Sequence, residues 1–296
     1  MFEGIITPIV TPFYRDAAET INYEAMENLV DHLIEKGVSG IFPLGSNGEF
    51  HVLNSEEKMA FSKAVIDHVA KRVPVYVGTG ACSTKETIEL SQKAESLGAD
   101  ALSVITPYFI TPSDEEILQH YQKVANSVKI PIILYNIPKN TGCNISKAVL
   151  KELAKLPNVL GIKDSSGDLD NLKGYLEVTD GTGVKVLIGS DSKILDGYKL
   201  GASGAIAGTS NLITETIVHL DQAIRKKDWE LAETLQNDIE ALRGALKLGT
   251  VPSILKRSLE LAQIAEVGPA RRPVKETTTS VDNKILTMLK YYNLTN

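Results

Sequence analysis

Short apolar runs alternate with amphipathic stretches along most of the chain. The apolar runs are rich in Ile and Val, which is typical of strands buried on both faces of a parallel sheet. Strands are predicted at residues 4–10, 40–44, 73–78, 101–106, 131–137, 159–163, 184–189 and 204–208. The stretches between them show helical spacing and capping residues, and helices are predicted at residues 22–36, 55–71, 83–97, 113–128, 146–156 and 214–227.

This alternation predicts an α/β protein with a parallel sheet. About eight strand–helix units over roughly 200 to 250 residues is the size at which such a sheet closes into a (β/α)8 TIM barrel. An open doubly wound sheet is the alternative. The first strand, however, is followed by Thr11-Pro-Phe-Tyr and not by a GxGxxG turn that opens a helix, so the barrel is the predicted fold.

The pattern changes after the eighth predicted strand. Residues 228–248, 252–265 and 281–292 have helical spacing without an apolar strand between them. No composition break or flexible linker separates them from the preceding residues. The chain is therefore predicted as a barrel over residues 1–225 and a C-terminal helical extension over residues 226–296 that packs on it, forming one domain overall.

Composition narrows the range of possible functions. Of the 296 residues, 43% are hydrophobic, which is ample for a buried core, and the net charge of -6 gives no basic field for nucleic acid. The two cysteines, Cys82 and Cys143, lack ligand spacing, so no metal site is expected. The N-terminus has no basic and apolar leader and no run is long enough to span a bilayer, so a cytoplasmic protein without membrane contact is expected.

Lys163 is the first candidate for chemistry, because barrel enzymes carry their active sites at the C-terminal ends of the strands. It ends a predicted strand and shares a face with Gly161, so it should project into the barrel. Partial desolvation there favours a neutral amine, which can attack a ketone to form a Schiff base. The alternative is a lysine that pairs with the adjacent Asp164 at the rim.

Tyr135 ends the preceding strand on the same alternation as Ile133, so it should lie beside Lys163. A phenol there can pass protons between a carbinolamine, water and a substrate hydroxyl. The alternative is a core aromatic whose hydroxyl finds a partner at the rim. The expected position beside Lys163 favours the catalytic role.

The segment Gly45-Ser-Asn-Gly-Glu follows the second predicted strand. Its glycines allow close backbone approach, and its hydroxyl and amide donors can clamp a carboxylate, although Asn-Gly is also a common turn signal. The histidines fall on or beside predicted helices and show no metal-ligand or triad spacing. They are interpreted as surface or core residues: His32, His51, His68, His120 and His219.

Five segments in this order resemble the dihydrodipicolinate synthase / N-acetylneuraminate lyase family of class I pyruvate-dependent aldolases. Each is modest alone, but five at successive strand ends are specific, and the similarity runs from about Gly4 to Asn211. The helical extension also resembles the C-terminal region of that family. The segments are Gly45-Ser-Asn-Gly-Glu, Thr106-Pro-Tyr, Tyr135-Asn-Ile-Pro-Lys-Asn-Thr-Gly, Gly161-Ile-Lys-Asp-Ser-Ser-Gly-Asp and Gly189-Ser-Asp.

The resemblance implies a Schiff-base lyase that reversibly cleaves a 2-oxo acid to pyruvate and an aldehyde, with Lys163 and Tyr135 as the catalytic residues. No cofactor is implied beyond the covalent imine. The expected partners are the small-molecule 2-oxo acid and aldehyde, and further copies of the chain in a homotetramer built as a dimer of dimers. Substrate binding is expected at Ser46, Asn47, Gly48, Tyr108, Asn140, Ser165, Gly189, Asp191 and Ile206.

Departures from the family pattern guide the prediction of the substrate. The synthase pattern has Gly-Thr-Thr-Gly-Glu in the first loop, a second tyrosine after Thr-Pro-Tyr and an arginine shortly before the later Thr-Gly, whereas this chain has Ser46-Asn47, Phe109 and Asn140. The missing arginine removes a bidentate carboxylate clamp, and Phe109 cannot relay a proton. The first-loop and lysine motifs look most like those of 4-hydroxy-2-oxoglutarate and 2-keto-3-deoxy sugar acid aldolases, and such a substrate is predicted.

Four other functions stay open. Dihydrodipicolinate synthase is the first, and N-acetylneuraminate lyase is the second, although Ser192 stands where an acidic partner of Asp191 would help to hold a sugar chain. A phosphosugar enzyme would use the glycine-rich residues 201–210, which lack an arginine or lysine. A non-catalytic 2-oxo-acid sensor would keep the pocket, but the intact Lys163 and Tyr135 argue against it.

Overall fold

A computed structural model describes residues 1–295 and contains an eight-stranded parallel sheet. Its strands are β1 (Gly4–Pro8), β2 (Gly40–Phe42), β3 (Tyr76–Gly78), β4 (Ala101–Ile105), β5 (Ile132–Asn136), β6 (Val159–Asp164), β7 (Lys185–Ile188) and β8 (Gly204–Ile206). The strand order is β2-β1-β8-β7-β6-β5-β4-β3, so β2 and β3 are the two ends of the sheet.

These two ends meet and close the sheet into a barrel. A parallel bridge joins Ile41 to Val75, the Ile41 amide donates to the Pro74 carbonyl at 3.0 Å, and the Gly78 amide donates to the Pro43 carbonyl at 3.0 Å. The predicted (β/α)8 barrel is therefore confirmed. Each observed strand lies within its predicted apolar run, except that β6 extends one residue further, to Asp164.

Helices alternate with the strands and continue after them. Those of the barrel are α1 (Tyr23–Glu35), α2 (Ser55–Val69), α3 (Thr84–Ser96), α4 (Asp114–Asn126), α5 (Pro138–Thr141), α6 (Lys147–Leu153), α7 (Leu169–Thr179), α8 (Ile194–Leu200) and α9 (Thr214–Arg225). The polar residues before several of them cap the first turn, and Asn54 with Glu57 and Ser113 with Glu116 form capping boxes.

Besides the four-residue α5, two helices of the barrel, α7 and α8, were not among the predicted ones. Each is interrupted by a glycine, which weakens the helical pattern. These glycines permit close packing, because a Cβ at Gly174 would lie 1.9 Å from Cε of Lys147 and one at Gly197 would lie 3.0 Å from Cβ of Ile188. Close contact with neighbouring elements, which a periodicity analysis does not detect, explains both.

The C-terminal extension consists of α10 (Trp229–Leu246), α11 (Val251–Leu261) and α12 (Thr279–Tyr291). The boundary predicted after residue 225 falls at the end of α9, and residue 296 lies outside the described residues. Arg15 bonds Glu260 of α11 at 2.9 and 2.6 Å, which ties the extension to the segment after β1. Across residues 1–295, no helix combines the length and apolar character needed to cross a membrane.

Candidate active site

The strand register places Tyr135 directly beside Lys163 at the C-terminal end of the barrel. Each of these two residues is only 4% exposed. The Lys163 Nζ lies 3.9 Å from the centre of the Tyr135 ring and 5.2 Å from the centre of the Phe42 ring. Both side chains occupy the inward position that the alternation along β5 and β6 predicts. The lysine therefore ends in a largely desolvated aromatic pocket.

Asp164 does not pair with Lys163, so the structure disfavours the alternative of a rim ion pair. The buried Asp164 carboxylate accepts hydrogen bonds from Nδ2 of Asn136 at 3.0 Å and Nδ2 of Asn171 at 3.1 Å, and from the amide and hydroxyl of Ser166, both at 3.0 Å. These neutral donors satisfy the carboxylate on the opposite face of β6. The amine of Lys163 therefore forms no ion pair with the adjacent Asp164.

Ser46 reaches the same pocket from the loop after β2. Its Oγ lies 3.2 Å from the Tyr135 hydroxyl, within hydrogen-bond distance. The loop is a compact turn in which the Gly48 amide donates to the Gly45 carbonyl at 3.0 Å and the Glu49 amide donates to the Ser46 carbonyl at 3.2 Å. The amide of Gly48 is thus already used within the turn. Within residues 1–295, the amides of Ser46 and Asn47 donate to no protein acceptor.

Gly189 and Ser165 close the pocket on the side of β7. A Cβ at Gly189 would lie 2.1 Å from the Ser165 Oγ and 2.9 Å from Cε of Lys163, so a larger residue would displace the lysine. The Ser165 hydroxyl donates to the Gly189 carbonyl at 3.3 Å. This is a position where the backbone must approach a side chain closely, which explains the glycine of the Gly-Ser-Asp motif.

Asn47 and Asp191 both contact the loop after β8. A Cβ at Gly208 would lie 2.5 Å from Nδ2 of Asn47. The Asp191 carboxylate accepts from the Gly208 amide at 3.3 Å and from the Thr209 amide at 2.7 Å. These bonds hold the loop after β8 next to the Asn47 side chain. Asp191 is only 9% exposed, so its carboxylate is mainly a hydrogen-bond acceptor for this loop.

The remaining predicted site residues are Tyr108, Asn140 and Ile206, and their surroundings differ from one another. Tyr108 is half-buried and packs edge-on against Phe50 at 5.8 Å between ring centres, and burial raises its pKa, as does the nearby Cys82 thiol. Asn140 is exposed on the short helix α5. Ile206 is buried inside the barrel and pairs with Ile6 of β1.

Three buried polar residues that support the site were not predicted as site residues. Asn136 accepts from the Ile145 amide at 3.0 Å and donates to Asp164, and so fixes the ends of β5 and β6. Glu49 and Lys256 form an ion pair at 3.1 Å behind the loop that carries Ser46. A lysine among the apolar residues of α11 could have indicated a buried ion pair. The sequence alone, however, does not identify its partner.

The described residues 1–295 contain no group of three or more His, Cys, Asp or Glu side chains arranged to hold a metal ion. The polar groups in the pocket of Lys163 include the Tyr135 phenol and the hydroxyls of Ser46 and Ser165. Such an arrangement is suited to covalent chemistry at the amine with proton transfer through Tyr135 and Ser46.

Comparison with known proteins agrees with this geometry. The profile of the Dihydrodipicolinate synthetase family matches residues 1–292. The chain is 37% identical over 295 residues to a 4-hydroxy-tetrahydrodipicolinate synthase of Syntrophus aciditrophicus, covering 99% of both chains. It is 36% identical over 276 residues to that of Methanoculleus marisnigri, covering 93% of this chain and 94% of the relative.

Solved structures show the same similarity. YagE, a prophage protein of the dihydrodipicolinic acid synthase family from E. coli K12 solved in complex with pyruvate, superposes with a TM-score of 0.95 at 33% identity, with both chains fully covered. The chloride-inhibited dihydrodipicolinate synthase of Acinetobacter baumannii complexed with pyruvate superposes with a TM-score of 0.94 at 34% identity, again over 100% of each chain. The chain thus belongs to the dihydrodipicolinate synthetase family and is a pyruvate-dependent class I aldolase, a carbon–carbon lyase.

Proposed function

We propose that this enzyme cleaves a 4-hydroxy-2-oxo acid, either a 2-keto-3-deoxy sugar acid or 4-hydroxy-2-oxoglutarate, and releases pyruvate through an imine on Lys163. The observation that carries the choice of substrate is Asn140, which stands where the synthase pattern has an arginine. The proposal uses no cofactor, because the amine supplies the electrophilic activation that the cleavage needs.

The loop after β2 is suited to the carboxylate of the 2-oxo acid. The amides of Ser46 and Asn47 are free within residues 1–295, and the Ser46 hydroxyl lies at the same end of the pocket as Tyr135. Two adjacent amides with a hydroxyl form a concave anion site. Binding there sets the C2 ketone against the amine of Lys163, which is the geometry that the first step requires.

The reaction then follows from the two central residues. The amine of Lys163 attacks C2, and Tyr135 donates its proton to the departing hydroxyl, so loss of water from the carbinolamine leaves a protonated imine and a phenolate. Tyr135 as a phenolate takes the proton of the C4 hydroxyl, the C3–C4 bond breaks, and its electrons enter the imine to form an enamine while the aldehyde leaves. The phenol gives its proton to C3, and hydrolysis of the protonated imine releases pyruvate and the free amine and returns a proton to the phenolate.

The arginines of the chain favour the 2-keto-3-deoxy sugar acid among the proposed substrates, because it has one carboxylate whereas 4-hydroxy-2-oxoglutarate has two. A guanidinium binds a carboxylate through two parallel charge-assisted bonds, and Asn140 cannot replace it. Every arginine in the chain is already paired with at least one carboxylate: Arg15 with Glu260, Arg72 with Asp31, Arg225 with Asp221, Arg243 with Glu240, Arg257 with Asp282, Arg271 with Glu57 and Arg272 with Glu19.

A 4-hydroxy-tetrahydrodipicolinate synthase is the second candidate, because relatives 31% to 37% identical carry that name. A panel of substrates separates the two. We expect cleavage of 2-keto-3-deoxygluconate or 4-hydroxy-2-oxoglutarate to exceed condensation of pyruvate with aspartate semialdehyde in kcat/KM. Efficient condensation, with the cleavage substrates inert, would overturn the proposal in favour of the synthase.

Asn140→Arg is a further test, because it restores the guanidinium that can bind a carboxylate through two parallel hydrogen bonds. We expect it to raise kcat/KM for the condensation roughly tenfold, which corresponds to about 1.4 kcal/mol of new binding. Asn140→Lys is the matched control, because it adds a charge without the bidentate geometry and should raise condensation less. Equal effects of the two substitutions would show that the bidentate guanidinium is not the feature that limits condensation in this chain.

A homotetramer is part of the same proposal. On the loop after β4, Phe109 and Ile110 are 91% and 73% exposed, and Phe109 has a φ of 80°, in the left-handed region. An exposed aromatic residue in this conformation supports burial against another copy of the chain. Sedimentation at micromolar concentration should give a tetramer, and Phe109→Asp a smaller species. A wild-type monomer contradicts the assembly.

A further inference from the structure

The loop of residues 45–49, here called the substrate loop, is held from behind by the C-terminal extension. Glu49 ends this loop and is 2% exposed. Its Oε1 accepts from Nζ of Lys256 on α11 at 3.1 Å, and its Oε2 accepts from the amide of Arg271 at 2.9 Å. Both carboxylate oxygens are thus bound by residues that lie 207 and 222 positions further along the chain.

Lys256 is fully buried and uses all of its donors. Besides Glu49, its Nζ donates to the Thr11 carbonyl at 2.8 Å and to the Pro269 carbonyl at 2.5 Å. The Thr11 hydroxyl in turn donates to the Gly48 carbonyl at 2.6 Å. The ammonium therefore joins the extension, the segment after β1 and the substrate loop at one point.

Joining three segments through a buried ion pair carries a large desolvation penalty. Burial lowers the pKa of Lys256 to about 8, while the Glu49 carboxylate favours the charged form. A buried ion pair is often no more stabilising than well-packed neutral residues, so its presence is weak evidence for a role in stability alone. What it does provide is a fixed geometry at the end of the loop that presents Ser46, whose Oγ lies 3.2 Å from the Tyr135 hydroxyl.

We propose that Lys256 and Glu49 are positioning residues that hold the amides of Ser46 and Asn47 in place for the carboxylate of the 2-oxo acid. The C-terminal extension is then part of the framework of the active site. This inference rests on the proposed function, in that it takes the substrate loop to be the carboxylate site. Both residues act through the substrate loop and not on the reacting atoms, so the effect of changing them is expected on binding.

Three variants separate positioning from stability: Glu49→Gln, Lys256→Met and the double variant. The readout is the pyruvate concentration that half-saturates borohydride-trappable imine, measured with the melting temperature. We expect this concentration to rise about tenfold in Lys256→Met and to stay raised in the double variant. The double variant should regain much of the melting temperature, because no buried charge is left unpaired. Trapping at saturating pyruvate should change much less.

Glu49→Gln removes the charge and keeps the size of the side chain. If Lys256→Met does not fold, Glu49→Gln and the double variant are still available for the same measurement. Arg15→Met is the matched control, since it removes another ion pair between the extension and the barrel but none of the bonds at the substrate loop. It should lower the melting temperature and leave half-saturation unchanged.

Two results would overturn the positioning role: wild-type half-saturation in the double variant, or the same rise in Arg15→Met. A wild-type protein that traps no pyruvate would be a different failure, because it would contradict the proposed function before the variants are compared.

Discussion

Lys163→Met is expected to lower the release of pyruvate by roughly 10^4-fold or more, because the substitution keeps the length of the side chain and removes the only group that can form the imine in this mechanism. The fold should survive, since Lys163 makes no ion pair with Asp164 and its Nζ lies over the aromatic rings of Phe42 and Tyr135, where an apolar end is tolerated. A steady-state assay of pyruvate release on the purified variant measures the loss.

Lys173→Met is the control for this substitution. Lys173 is exposed on α7, so its replacement should leave turnover at the wild-type level. A Lys163→Met enzyme that keeps more than a few per cent of wild-type turnover would show that the amine is dispensable. The Schiff-base mechanism would then have to be abandoned, whichever substrate is used.

Tyr135→Phe is expected to lower kcat by roughly 10^2- to 10^4-fold, the usual contribution of general acid–base assistance. The ring and its packing against Lys163 and Phe42 remain, and only the hydroxyl that bonds Ser46 is lost. KM should change much less, because the carboxylate is assigned to the substrate loop. Turnover and melting temperature are measured on the same preparation.

Tyr121→Phe provides the matched control for a buried phenol. The Tyr121 hydroxyl donates to the Val104 carbonyl at 3.0 Å, inside the core and outside the proposed mechanism. Its loss should cost about 1 kcal/mol of stability, or somewhat more because the carbonyl loses a buried partner, and should leave kcat unchanged. If Tyr135→Phe behaved like Tyr121→Phe, with wild-type kcat and reduced stability, Tyr135 would be a structural residue only.

The sequence was informative wherever a short-range rule determines the structure. The period of two along a strand was sufficient to place Tyr135 and Lys163 on the inner face, and the regular spacing of apolar runs was sufficient for the barrel. The strand ends were also found to within a few residues, because Gly and Pro mark the loops that follow them.

The sequence was less informative where a residue is determined by a distant partner. The satisfaction of Asp164 by Asn136, Asn171 and Ser166 decides against an ion pair with Lys163, and only the folded chain brings those donors together. The pair of Glu49 and Lys256 joins residues 207 positions apart. In both cases the missing information is the path of the chain in space, which hydrophobic periodicity does not contain.

Reductive trapping tests the central claim most directly. The protein is incubated with pyruvate and sodium borohydride, and the product is examined by intact mass and peptide mapping. Lys58 and Lys256 are also buried, so the map must distinguish three desolvated lysines. We expect one reduced pyruvyl adduct per chain, on the peptide that contains Lys163. An adduct on another lysine, or no adduct at all, would contradict it.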